Sequence, residues 1–155
     1  MINQFEGGYE FLSNFYEVPF RWRGNEYPTV EHAFQAAKTL DPIKRQEIAA
    51  ARPPGAAKRM GRTVQLRPDW ENVKEQIMYE SVSEKFHQDV SLTLALLATG
   101  DEELVEGTLW CDNEWGDCKC PKCVNIQGKN KLGKILMRVR EEMRAELEEL
   151  IKAPV

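Results

Sequence analysis

Apolar and polar residues alternate from Val18 to Arg23, with Val18, Phe20 and Trp22 on one side and Pro19, Arg21 and Arg23 on the other. Gly24-Asn25 follows as a turn, and the combination predicts a β-hairpin. Beyond it the apolar spacing becomes that of helices. Pro28-Thr29 is a helix start with Thr29 as N-cap, and that helix is expected to run through Lys38. Asp41-Pro42 starts a second helix through about Ala51, which Arg52-Pro-Pro-Gly55 breaks. A short helix through Lys58 is expected to end at Gly61 as its C′ residue. Asp69 is placed to cap a longer helix from Trp70 to about Phe86, with Trp70, Val73, Ile77 and Val82 near the helical period. Another covers Asp89 to Thr99 and stops at Gly100, and Leu104 to Trp110 predicts a short strand. Gly133 to about Ile151 is strongly amphipathic, with Ile135, Leu136, Val139, Met143, Leu147 and Leu150 along one side. The predicted fold class is α+β, a helix-dominated single domain over residues 1–155 with a small β-sheet or hairpin.

Length and composition do not disturb that picture. A chain of 155 residues with 42% hydrophobic and 30% charged residues can bury a core without disulfides. The start of the chain has no basic n-region and no apolar run, and the apolar stretch around Leu92 to Ala98 is too short for a bilayer. The expected location is the cytoplasm, with no membrane partner. A net charge of −4 argues against a general nucleic-acid coat protein, although Lys119 to Arg144 carries eight Lys or Arg against only Glu141 and Glu142. That run reads either as a solvated loop and helix face or as a phosphate-facing surface.

The chemistry-bearing residues gather in a few segments. Glu31, Gln35 and Lys38 fall at i, i+4 and i+7 of the first helix, so a carboxylate, an amide and an amine share one face. Each has a plain structural alternative: a first-turn acid favoured by the helix dipole, or a lysine near the helix end. His32 reads as a hydrogen-bonded structural histidine. Phe11-Leu-Ser-Asn-Phe-Tyr16 sets Ser13 and Asn14 between aromatic faces, a way to hold a base. Asp112, Trp115 and Gly116 form a compact polar, aromatic and glycine turn in which Gly116 would let backbone approach a ligand. Asn130 precedes the last helix as a cap or ligand contact.

All four cysteines lie in the Cys-rich loop 111–123, spaced Cys-x6-Cys-x-Cys-x2-Cys. Disulfides are disfavoured in a cytosolic chain. Cys120-Pro-Lys-Cys123 has zinc-knuckle spacing, and Cys111, Cys118, Cys120 and Cys123 together would satisfy a tetrahedral structural Zn²⁺; the alternative is four free thiols.

Taken in order, Phe11-Leu-Ser-Asn-Phe15, Pro28-Thr-Val-Glu-His-Ala-Phe-Gln-Ala-Ala-Lys38, Arg59-Met-Gly-Arg62, Trp70, Asp112-x-x-Trp-Gly116 and Asn130-x-Leu-Gly-x-x-Leu-Met-x-x-Arg140 resemble the NADAR family of YbiA-like proteins. The resemblance spans Phe11 to Arg140, and departs at the cysteines, where the family pattern has a glycine-rich loop. It implies an N-glycosidase cleaving the bond between a base and a phosphate-bearing ribose. The expected substrate is ADP-ribosylated guanine in DNA, RNA or nucleoside, with a cognate ADP-ribosyltransferase toxin as opponent; the alternative is the phosphoribosylamino-pyrimidine intermediates of riboflavin synthesis. It further implies catalysis by Lys38 and Glu31, supported by Asp112, without a catalytic cofactor. Lys38 would attack the anomeric carbon and form an imine, with Glu31 as general acid/base. Trp115, Phe15 and Trp70 would border the base. Ser13, Asn14, Gln35, Gly116 and Asn130 would meet its polar edges, and Arg59, Arg62 and the lysines after Gly128 the phosphates. Two rivals are an ADP-ribose or NAD binding module without turnover, and a zinc-knuckle nucleic-acid binder.

Overall fold

The computed structural model describes residues 1–154. The chain divides into two compact units, one of Asn14–Asp89 and one of Met1–Ser13 with the residues from Val90 onward.

In the first of these, strands β1 (Phe20–Trp22) and β2 (Asn25–Tyr27) pair antiparallel with Trp22 opposite Asn25. The turn is therefore Arg23-Gly24, one residue earlier than the sequence predicts. Both residues have positive φ, 47° and 83°, as the tight turns that match strand twist require. Helix α1 (Val30–Ala36) begins as predicted: the Thr29 hydroxyl accepts the His32 amide at 3.1 Å, a cap worth about 1 kcal/mol. All its residues are buried. It stops earlier than expected. The Lys38 and Thr39 amides donate to the Gln35 and Ala36 carbonyls at 3.2 and 3.4 Å, tightening the chain into a turn. Lys38 thus lies just past the C-cap, Ala37, and not on the helix.

Around α1 pack α2 (Pro42–Ala50), α3 (Pro54–Gly61) and α4 (Trp70–Gln88). Asp41 caps α2 by accepting the Ile43 amide at 2.9 Å. Asp69 sits at the N-cap position of α4, yet its carboxylate takes Arg67 at 2.6 and 3.1 Å instead of a helix amide. Gly61 is not a left-handed C′ residue: it is the last residue of α3, and Arg62 follows at φ −76°. Its lack of a side chain serves another purpose. A Cβ there would stand 1.9 Å from Gln35 Oε1 and 2.8 Å from Gln35 Cδ.

The other unit contains α5 (Val90–Ala98), closed by Gly100 at φ 64°, and the long α6 (Lys131–Lys152). The predicted strand at Leu104 to Trp110 reduces to β3 (Gly107–Thr108), parallel to β4 (Asp117–Cys118), plus a bridge from Leu104 to Ile2. Leu136, Val139 and Met143 are buried as predicted, but Leu147 and Leu150 are 45% and 74% exposed, so the apolar side loses its cover toward the end of α6. Loop carbonyls cap α6: the Asn130, Lys131 and Leu132 amides donate to Gly116, Glu114 and Trp115 at 3.1, 3.1 and 3.0 Å. Among the described residues no helix is long and apolar enough to cross a membrane.

The Gly61 contact gives a direct test. Although alanine is the better helix former by about 1 kcal/mol, Gly61→Ala is expected to destabilise by about 1–3 kcal/mol in chemical denaturation, because Gln35 must be displaced. Adding Gly61→Ala to Gln35→Ala should cost much less, since only the Gln35 Cβ, at 3.1 Å, then remains close. Equal penalties in the two backgrounds would show that the contact does not constrain the fold.

Candidate active site

One end of the polar face of α1 is a carboxylate with very little water. Glu31 is 7% exposed. Its amide donates to the Asn14 carbonyl at 3.0 Å, and its Oε1 accepts from Gln35 Nε2 at 2.8 Å. That bond fixes the Gln35 amide, since a carboxylate needs a donor. Gln35 Oε1 is consequently turned toward Gly61 and has no hydrogen-bond partner among the described residues.

The other end is an amine. Lys38 is half-buried, with Nζ 5.9 Å from the ring centroids of both Phe34 and Trp70. Those rings lie 5.0 Å apart at 50°, a tilted pair that walls the amine. Burial pushes the Lys38 ammonium below the ordinary lysine range; Glu31 opposes the shift, while Arg62 and Lys58 add to it. A larger share of Lys38 is therefore neutral and nucleophilic near neutral pH than for a solvated lysine. This is the arrangement that a shared helix face anticipates, although the turn after Ala37 delivers the lysine.

His32 is structural, as read from the sequence. It is fully buried, and because the Ala51 carbonyl can only accept, Nε2 donates to it at 2.6 Å. Nδ1 then accepts from the Thr29 hydroxyl at 2.7 Å, and burial lowers the ring's pKa, so the imidazole is neutral. Asn14 is buried, its Nδ2 3.5 Å from Met78 Sδ, whereas Phe15 is 44% exposed. Trp70 is buried behind Lys38 and acts as a wall more than an open stacking face. Arg59 and Arg62 are exposed on and just after α3.

A groove of about 450 Å³ opens between Thr39–Lys44 and Thr63–Pro68. Its lining includes neither Glu31 nor Lys38. Sequence reasoning missed one buried cation. Lys85 of α4 is 1% exposed, with Nζ 5.6 Å from the Tyr16 ring and 5.0 Å from Phe86. The signal was available: Lys85 lies three residues beyond Val82, on the buried side of α4.

In the other unit the predicted residues are engaged in building their own loop. Asp112 Oδ1 accepts the Glu114 and Trp115 amides at 3.1 and 2.9 Å, a side-chain turn. Gly116 has a packing reason of its own: a Cβ would stand 2.5 Å from the Glu106 carbonyl oxygen and 2.7 Å from Thr108 Cγ2. Asn130, buried and left-handed at φ 49°, does not cap α6 with its side chain. Its Oδ1 accepts the Glu106 amide at 3.0 Å and its Nδ2 donates to the Leu104 carbonyl at 2.9 Å. Trp115 is half-buried beside Lys131, and Ser13 half-buried with its amide donating to Glu10 at 2.9 Å. The basic run is mostly absorbed. Lys119 pairs with Asp117, Lys131 with Glu114, Arg138 with Glu142 and Arg144 with Glu141, while buried Arg140 donates to Thr99. The four cysteine sulfurs converge within 4.8 Å of one another.

The NADAR domain model matches residues 2–144. The N-glycosidase YbiA of Escherichia coli is 44% identical over 140 residues, covering 89% of this chain and 84% of that protein. An N-glycosidase of Nostoc punctiforme is 43% identical, covering 88% and 86%. A riboflavin biosynthesis protein of Vibrio vulnificus is 38% identical over 86% of this chain, but only 35% of its own length is covered. The NMR structure of E. coli YbiA matches with a TM-score of 0.83 at 39% identity, covering 100% of this chain and 90% of that one. On the match of nearly its whole length, the chain belongs to the NADAR family.

Proposed function

We propose that this protein is an N-glycosidase that breaks the bond between the anomeric carbon of a phosphate-bearing ribose and a base-like nitrogen, with Lys38 as nucleophile. One observation carries the reading: a half-buried amine just past α1, walled by Phe34 and Trp70, under the influence of the buried Glu31 carboxylate of that helix. A binding module without turnover has no use for such a pair. The relatives named N-glycosidases, at 43–44% identity over most of their length, support the same reaction.

The step proceeds as follows. Neutral Lys38 gives its lone pair to C1 of the sugar. The C1–N bond breaks toward the base while the Glu31 carboxylate stabilises the charge that builds on the sugar, takes a proton from the ribosyl-lysine ammonium so formed and passes it to the leaving nitrogen. The ribosyl-lysine opens to an imine as the ring C1–O bond breaks. Water then adds to C1, the lysine departs as an amine, and free ribose phosphate leaves.

Two substrate classes contain such a bond. A phosphoribosylamino-pyrimidine is favoured by the riboflavin-biosynthesis names of the Vibrio vulnificus and Zea mays relatives, in each of which this chain matches a part of a longer protein. ADP-ribosyl-guanine is the second reading. Incubation with each substrate in parallel, following released ribose phosphate or ADP-ribose, distinguishes them; release from neither sinks the glycosidase reading.

Lys38→Ala should lose roughly 10³-fold or more of the rate, on the scale of other deleted nucleophiles. Borohydride added during turnover should fix the sugar to wild-type protein and not to Lys38→Ala. A Lys38→Ala protein that keeps its rate would make Glu31-activated water the mechanism instead. Glu31→Gln is expected to lose about 10²–10⁴-fold.

The pH dependence has a defined sign. Rate should rise with pH as Lys38 deprotonates, at a midpoint below that of an ordinary lysine. Arg62 disfavours the ammonium, so Arg62→Gln should raise the Lys38 pKa and move the midpoint to higher pH. An unmoved or lowered midpoint contradicts this electrostatic account.

A further inference from the structure

We infer that Cys111, Cys118, Cys120 and Cys123 form a closed tetrathiolate site for one Zn²⁺, a staple for the loop that carries Asp112 and Trp115. The four Sγ atoms all lie within 4.8 Å of one another, with Cys111 and Cys120 at 3.6 Å. A tetrahedral ion with Zn–S bonds of about 2.3 Å places its sulfurs about 3.8 Å apart, so the cage needs little contraction to close. That spacing encloses a single ion and is too tight for an iron–sulfur cluster. Four soft ligands leave no position for water, and the site is structural.

The backbone around the cage is organised for it. The amides of Cys111 and Cys120 both point at Cys118 Sγ, at 3.2 and 3.4 Å, donating to the sulfur as they would to a metal-bound thiolate. Cys120-Pro-Lys-Cys123 folds as a single tight turn, with the Cys123 amide donating to the Cys120 carbonyl at 3.0 Å. Cys111 adopts a left-handed φ of 62°, uncommon for a residue with a side chain, and this brings its sulfur to the other three. Cys118 sits on β4, buried, its amide donating to Asn113 Oδ1 at 2.9 Å.

What the cage would hold is otherwise thinly supported. The segment's regular structure amounts to the two-residue pairing of β3 with β4 and one 3₁₀ turn, and Leu109 and Trp110 are 72% and 60% exposed. The same segment supplies the Glu114, Trp115 and Gly116 carbonyls that cap α6. A metal staple therefore substitutes for hydrophobic burial in fixing the Asp112 turn and the start of α6.

Elemental analysis of tag-free protein should find roughly one zinc per chain. Replacement by Co²⁺ should give the intense visible ligand-field bands and sulfur charge-transfer absorption of a tetrahedral thiolate site. Chelation should lower the melting temperature by several degrees, reversed by Zn²⁺, and open the 109–126 segment to protease. Cys120→Ser and Cys123→Ser should each lose the metal; should they fail to fold, the stoichiometry and cobalt spectrum of the unaltered chain decide alone. Metal-free protein with four reactive thiols, a disulfide detected by mass, or iron in place of zinc would overturn the assignment.

Discussion

A short helix that buries every one of its side chains, a carboxylate included, is the constraint on which the Asn14–Asp89 unit depends. Helix α1 is hemmed by α2, α3 and α4, so its polar face cannot relax into water. Glu31 is tolerable there because Gln35 donates to it, and Gln35 can do so because Gly61 leaves room. The lysine beyond the helix is drawn two ways. Burial, Arg62 and Lys58 favour its neutral form, and Glu31 favours its charged form. The net effect is a lysine whose neutral form is more accessible than that of a solvated one.

Much of this was legible in the sequence because it is local. Thr29 and Asp41 announce their helices through side-chain oxygens that bond amides two or three residues on. The alternation from Val18 predicts the hairpin, and spacing alone sets Glu31 and Gln35 on one face. His32 also keeps its expected structural part.

What pattern could not supply was long-range. Gly61 looks like a helix terminator and is a seat for Gln35, a relation between two helices. Gly116 and Asn130, read as ligand contacts, also hold their own neighbours in place, which their spacing does not reveal. The α6 start has no side-chain cap to find, since carbonyls of a distant loop perform that task. Lys85 was overlooked because a lysine is counted as polar wherever it falls, although its position lies on a buried stripe. The resemblance to the family, in contrast, rested on an ordered set of short motifs and survived every such local misreading.

The protonation state of Lys38 can be measured directly, by NMR titration of its labelled side chain with Lys38→Arg as the assignment control. A midpoint clearly below that of the protein's solvent-exposed lysines, falling further in Glu31→Gln, is what the electrostatic picture requires. A Lys38 that titrates with the surface lysines would mean that its surroundings do not prepare the amine, and the account of this site would be wrong.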